Sequence, residues 1–284
     1  MHISRIDSEL FRLIKEEKVT SINIQSSFQT SLSGYSGDYF ITILNSTKEL
    51  LPMSMVIGGN VDELNIHNKN SLTISNDEAS PLFYDERTAG EDLHVQKAED
   101  SSINRETLHE VRNFLIESAM AESFYPLLTK TRMVELPAGK ESSFFGNESF
   151  MIEKVKTFLV CLSKGDLCSA PNITGFGPGL TPSSDDFLLG LLSVLLYAGD
   201  EKSKTLIQYL TAYKEKTTEV SKWMLHYASI HSLFPNVVKR FFKASGENRK
   251  KVLQDFLSHG GTSGIDLLCG IYTGLFLLFK DEGS

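Results

Sequence analysis

The segment Gly175-Phe176-Gly177-Pro178-Gly179-Leu180-Thr181-Pro182-Ser183-Ser184-Asp185-Asp186-Phe187-Leu188-Leu189-Gly190 constrains this chain more than any other, because a glycine-rich loop runs there through a helix-start signal into an apolar helix. Gly175, Gly177 and Gly179 let backbone approach a ligand closely or turn with positive φ. Thr181 reads as the N-cap and Pro182 as the first helical residue. Free N–H groups, the positive end of the helix dipole and the hydroxyls of Thr181, Ser183 and Ser184 then converge on a spot suited to phosphate or carboxylate.

The pattern returns as Gly260-Gly261-Thr262-Ser263-Gly264-Ile265-Asp266-Leu267-Leu268-Cys269-Gly270, at a constant offset of 80 residues. In each copy Asp follows Ser by three positions and Gly follows Asp by four, so all three share roughly one helical face. A glycine on that face permits close helix–helix approach, which brings the two polar N-termini together. The plainer alternative is a pair of capped core helices whose glycines serve packing alone.

A chain of 284 residues with 41% hydrophobic and 23% charged residues can bury a sizeable globular core. Lys plus Arg number 28 against 36 for Asp plus Glu, giving −8 without a long basic cluster, which argues against nucleic acid as a partner. Anions must then be held by local donors. Cys161, Cys168 and Cys269 form an odd set with no CxxC pair, so neither a disulfide framework nor a zinc site is expected and a reducing cytoplasm fits. The segment opening Met1-His2-Ile3-Ser4-Arg5 lacks the apolar core of a signal peptide. Phe187 to Gly199 and Ile265 to Phe279 fall short of the roughly 20 residues that cross a bilayer, so no membrane role is expected.

The periodicities predict an α+β protein: a β-rich meander or small barrel over 1–103, then a mainly α-helical domain over 104–284. Residues 5–17 read as a short helix, and Ser21–Phe28, Tyr39–Leu44, Pro52–Ile57 and Ser71–Ile74 as strands. Residues 33–38, 45–47 and 58–60 carry turn chemistry, and Phe83-Tyr84 and Leu93-His94-Val95 read as edge strands. Helices are expected at Arg105–Ala121, Glu148–Lys164, Ser183–Ala198, Ser203–Ser232, Pro235–Lys243, Glu247–Ser258 and Ser263–Phe279, with a connecting loop over 130–147.

Asp185 and Asp186 are adjacent, so on a helix their side chains diverge by about 100° and do different jobs. Asp186 matches Asp266 and is the better site-facing carboxylate; Ile265 occupies the place equivalent to Asp185. Either aspartate can also serve only to favour a helix N-terminus. A carboxylate beside an anion cradle can orient a substrate amine, accept its proton or hold Mg²⁺, and no cofactor or metal-ligand set is otherwise identified. His259, directly before the second cradle, can polarise a carbonyl or exchange a proton, or can simply close the preceding helix. His226 and His231, five apart, match a metal-binding helix face poorly, and Cys269 reads as a core residue. Walker, GxSxG and HExxH motifs are all missing.

The stretch Gly179 to Gly190, together with Gly261-Thr262-Ser263-Gly264-Ile265-Asp266, resembles the AllH-like family found with allantoin-utilisation gene clusters in bacteria. Ile41-Thr42-Ile43-Leu44 and Leu51-Pro52-Met53-Ser54 resemble it more weakly. The family pattern has glycine after the first serine where this chain has Ser184, which can still donate a hydrogen bond. The resemblance implies a subunit of oxamate carbamoyltransferase that works with FdrA-like and AllG-like subunits in anaerobic purine breakdown. Such an assembly interconverts oxalurate plus phosphate with oxamate plus carbamoyl phosphate. On that footing Gly177, Gly179, Thr181, Ser183 and Ser184 would bind one small anion and Thr262, Ser263 and Gly264 the other, with Asp186 and Asp266 orienting the donors or the amine. A non-catalytic metabolite-binding or assembly subunit is the alternative.

Overall fold

A computed structural model of the protein describes residues 1–64, 71–97, 102–118, 120, 122–137 and 148–280. The chain forms two compact units, Met1–Leu93 and His94–Ser284. The fold is α+β: a curled eight-stranded sheet, then helices.

In the first unit the strands are β1 (Ile3–Asp7), β2 (Ser21–Phe28), β3 (Ser31–Ser36), β4 (Tyr39–Leu44), β5 (Ser54–Ile57), β6 (Ser71–Ser75), β7 (Leu82–Phe83) and β8 (Ala89–Glu91), in the order β7-β6-β2-β3-β4-β5-β1-β8. The expected meander is β2-β3-β4, antiparallel throughout, while β4 and β5 run parallel. A parallel bridge from His2 to Phe83 brings the start of β1 against β7, so the sheet curls back on itself. Two expectations are corrected. The chain begins with β1 rather than a helix, and α1 (Ser8–Lys15) starts only where Asp7, fully buried, caps it by accepting from Glu9 N–H at 3.1 Å and ties it to Met53 N–H at 2.7 Å. Ser33 to Ser36 belong to β3, not to a turn: a Cβ on Gly34 would stand 2.1 Å from Asn23 O, so the glycine allows β2 to bulge against it. The turn itself is confined to Gly37-Asp38, with Gly37 at φ +56°.

The second unit holds α2 (Arg105–Ser118), α3 (Tyr125–Thr131), α4 (Glu148–Ser163), α5 (Ser183–Ala198), α6 (Lys202–Tyr213), α7 (Glu219–His231), α8 (Asn236–Lys243), α9 (Gly246–Leu257) and α10 (Ser263–Phe279). The single helix expected over Ser203–Ser232 is two. A short 3₁₀ turn at Lys214–Lys216 ends the first, and Thr218, accepting from Ser221 N–H, caps the second. Helix α3 was not expected. The 130–147 connector lies outside the described residues beyond Pro137.

Helices α5 and α10 form the centre of this unit. Every residue from Ser183 to Leu195 and from Gly264 to Phe276 is buried, so both helices are surrounded rather than amphipathic. They run side by side with their amino ends together and touch backbone to backbone. A Cβ on Gly190 would lie 2.0 Å from Leu267 O, one on Gly270 2.0 Å from Phe187 O, and one on Gly274 2.7 Å from the Val194 side chain. The first two contacts exchange under the 80-residue offset, which makes the pair an internal pseudo-two-fold.

Replacing Gly190 or Gly270 by alanine would gain about 1 kcal/mol in helix propensity. It would also force two backbones apart in a close-packed core, a cost of about 3 kcal/mol that wins. Each variant is expected to lower the urea midpoint by a net destabilisation of about 2 kcal/mol, whereas Gly165→Ala, with open space around it, should cost only about 1 kcal/mol, the strain of placing alanine at φ +71°.

Candidate functional site

The glycine loop before α5 is folded by side chains of the helix it introduces. Asp185 accepts from Gly175 N–H at 2.8 Å and from the hydroxyl of Thr217. Ser184 Oγ accepts from Phe176 N–H at 2.8 Å, and Ser184 N–H donates to Phe176 O at 2.9 Å. Glycine is required at two of these turns. Gly175, at φ +77°, would drive a Cβ to 2.2 Å from Lys216 O, and Gly177, at φ +119°, to 2.6 Å from Ser183 N. Gly179, at φ +86°, lies on the exposed rim with nothing near it. Asp185 and Ser184 therefore hold the loop in place, and their neighbours point elsewhere.

The helix start falls one residue later than the sequence suggests. Pro182 is extended at ψ 139° and occupies the N-cap, and Ser183 is the first helical residue. Thr181 makes no cap. Its hydroxyl instead lies 2.9 Å from that of Ser263, the first residue of α10. Thr181, Thr262 and Ser263 are half-buried, while Ser183, Ser184, Asp186, Gly264 and Asp266 lie beneath them.

Below this hydroxyl bridge the two helices cross-serve each other's carboxylates. Asp186 has the hydroxyls of Ser263 and Thr181 beside it, and Asp266 has those of Ser183 and Thr262. The 183/266 and 186/263 pairings are again related by the 80-residue offset. Asp266 Oδ1 also accepts from Phe124 N–H at 2.5 Å, at the start of α3, and the Phe124 ring stacks on Phe187 with centroids 4.3 Å apart. Asp186 Oδ2 and Asp266 Oδ2 are buried with no hydrogen-bond partner. Orphaned carboxylate oxygens are rare in folded cores and need an occupant or a proton.

Burial pushes all three aspartates up. Asp266 is raised to about 7, opposed by the bonds from Phe124, Ser183 and Thr262. Asp186 is raised well above the ordinary carboxylate range by burial and then by the charge of Asp266. Asp185 moves up through burial, against the pull of Thr217 and Gly175. The first-turn amides are only partly used inside the protein. Ser184, Asp185, Asp186, Ser263 and Asp266 donate to nearby carbonyls, and the N–H groups of Ser183, Gly264 and Ile265 have no acceptor among the described residues.

Other expected residues lie at the margin. His259 follows Ser258, the C-cap of α9, and is half-buried four positions before Ser263, its N–H on Phe256 O at 3.1 Å. Gly264 is where α10 crosses α9: a Cβ there would meet Phe256 O at 1.7 Å. Cys269 is fully buried on α10, and burial raises its thiol. No three His, Cys, Asp or Glu side chains are grouped to hold a metal ion among the described residues. No helix among them is long and apolar enough to cross a membrane. Phe124 is the site residue that sequence reasoning missed.

A group whose folded-state proton affinity is raised stabilises the fold fully below the unfolded carboxylate range and loses that contribution as the pH climbs through its folded value. For Asp266 the window runs from about 4 to about 7. Wild type should therefore melt higher at about pH 5.5 than at about pH 8. Asp266→Asn, neutral at both and still able to accept from Phe124, should shrink that difference in differential scanning calorimetry; an unchanged difference would show that Asp266 titrates normally.

Comparison with known proteins bears on this same region. No curated protein and no solved structure matches the chain. Residues 173–275, a little over a third of the chain and the part that contains both glycine-rich helix starts, match the model of the family described as oxamate carbamoyltransferase subunit AllH.

Proposed function

We propose that the protein is a subunit of an oxamate carbamoyltransferase and that the paired starts of α5 and α10 hold its small anionic substrates. The observation that carries this reading is the 2.9 Å contact between Thr181 and Ser263, which joins the two helix starts at the surface, directly over two buried carboxylates. The family match over 173–275 supports the reaction class. Carbamoyl phosphate, oxamate and oxalurate are all small anions. The unused amides of Ser183, Gly264 and Ile265, the two aligned helix dipoles and the bridging hydroxyls are donors of the kind such anions need.

In the transfer the amide nitrogen of oxamate attacks the carbamoyl carbon of carbamoyl phosphate. A C–N bond forms, the C–O bond to phosphate breaks, phosphate leaves with the bonding pair, and the nitrogen gives up one proton. Asp266, poised near neutrality, is suited to take that proton, and Asp186 to hold the amide N–H. Donors at the carbamoyl oxygen stabilise the negative charge that grows there, and holding both reactants side by side supplies much of the acceleration. His259, four positions before Ser263, would exchange a proton at the second cradle. FdrA-like and AllG-like subunits would complete the assembly, in the cytoplasm.

One observation favours a second reading. Asp266 is fully buried and Asp186 nearly so, which suits a chain that binds metabolite while another subunit performs the transfer.

In the reconstituted assembly Asp186→Asn is expected to retain anion binding and to lose turnover by at least 100-fold; unchanged turnover would favour the binding-only reading. Ser263→Ala should weaken carbamoyl phosphate or oxamate binding by about 1 to 3 kcal/mol, the usual cost of removing a hydrogen bond to a charged group. Titration calorimetry that finds neither ligand bound by wild type, alone or assembled, would refute the site.

A further inference from the structure

We propose that the cleft between α2 and the carboxyl end of α10, distinct from the paired helix starts, binds a phosphate ester carrying a flat ring, of nucleoside diphosphate type. The cleft is a cavity of about 290 Å³, near the lower end of small-molecule sites. Arg105, His109 and Arg112 recur every three to four residues along α2, so they share one face, and Lys280 joins them from the end of α10.

Three features set this cluster apart from ordinary surface charge. Two other arginines of the unit meet carboxylates: Arg249 lies 3.0 Å from Glu110 and Arg240 2.8 Å from Asp255. Arg105, Arg112 and Lys280 have no such ion pair among the described residues, in a chain of net charge −8. Arg105 is also the first residue of α2, where the positive end of the helix dipole opposes a cation. Third, Arg112 is already oriented. Its Nε donates to Glu135 O at 2.9 Å, the Tyr272 hydroxyl donates to the same oxygen at 3.1 Å, and the guanidinium also bonds that hydroxyl, which fixes the side chain at the cleft wall.

The opposite wall is aromatic. Phe279 is half-buried in the cleft, and the Lys280 ammonium lies 5.3 Å from the Phe276 ring centre. Phosphate oxygens match the forked donors of Arg105 and Arg112, while a planar base matches the phenyl face. Glu135, exposed on the rim, offers an acceptor to an N–H or hydroxyl of the organic part.

The test is titration calorimetry on the full chain with ADP, adenosine and pyrophosphate as probes. ADP should bind saturably and at least tenfold more tightly than either adenosine or pyrophosphate. The R105Q/R112Q double variant should weaken ADP binding at least tenfold, and K280Q about threefold. Phe279→Ala should weaken ADP and leave pyrophosphate unchanged. Ser263→Ala, which tests the paired helix starts, should leave ADP binding as it is, so failure of one site is distinguishable from failure of the other. No saturable ADP binding, equal binding by wild type and both charge variants, or pyrophosphate bound as tightly as ADP would overturn the proposal.

Discussion

The second unit depends on a contact between two backbones. Gly190 and Gly270 let α5 and α10 come so close that neither position has room for a methyl group. Parallel helices at this distance set like dipole ends side by side, which is unfavourable, and the sequence meets that cost locally: each helix carries an aspartate in its first turn, and each aspartate faces a serine of the other helix. Close packing, acidic residue and hydroxyl are thus parts of one arrangement. Without the glycines, the four polar groups would stand too far apart to act on one another.

The same closeness explains the electrostatics. Two carboxylates that share a water-poor space cannot both ionise cheaply, and one is driven to keep its proton. The surrounding donors temper this without abolishing it. A backbone amide, from Phe124 at the start of α3, reaches Asp266 and breaks the internal symmetry. The two aspartates therefore differ in chemistry although they arise from one repeated pattern, which is the difference an acid–base pair requires.

Much of this was readable from residues. The Ser-Asp-Gly spacing placed three groups on one helical face, the 80-residue repeat announced two such helices, and glycine on the shared face foretold their approach. What escaped had physical reasons. Thr181 and Pro182 satisfy the rules for a cap and a first helical residue, yet the cap falls one residue later, at an extended Pro182, while the Thr181 hydroxyl turns to Ser263 of the other helix. Ser184 reads in sequence as a donor to an anion and Asp185 as a helix-start carboxylate, and their partners, Gly175, Phe176 and Thr217, are set by tertiary folding that no local pattern displays. Helix α3 is only seven residues long and contains Pro126, so it has little periodicity to recognise, and Phe124 went unnoticed with it. In the first unit, Ile3 to Asp7 is too short to separate from the helix that follows, and Gly34 imitates a turn while serving a bulge.

The 80 residues between the matched positions have a kinetic consequence. The crossing of α5 and α10 joins segments separated by four other helices, so its formation waits on the closure of a long loop, and its contacts contribute nothing until that loop is shut. Because the crossing is also the buried centre of the unit, the site above it is expected to form with the unit as a whole and to be lost only when the unit opens.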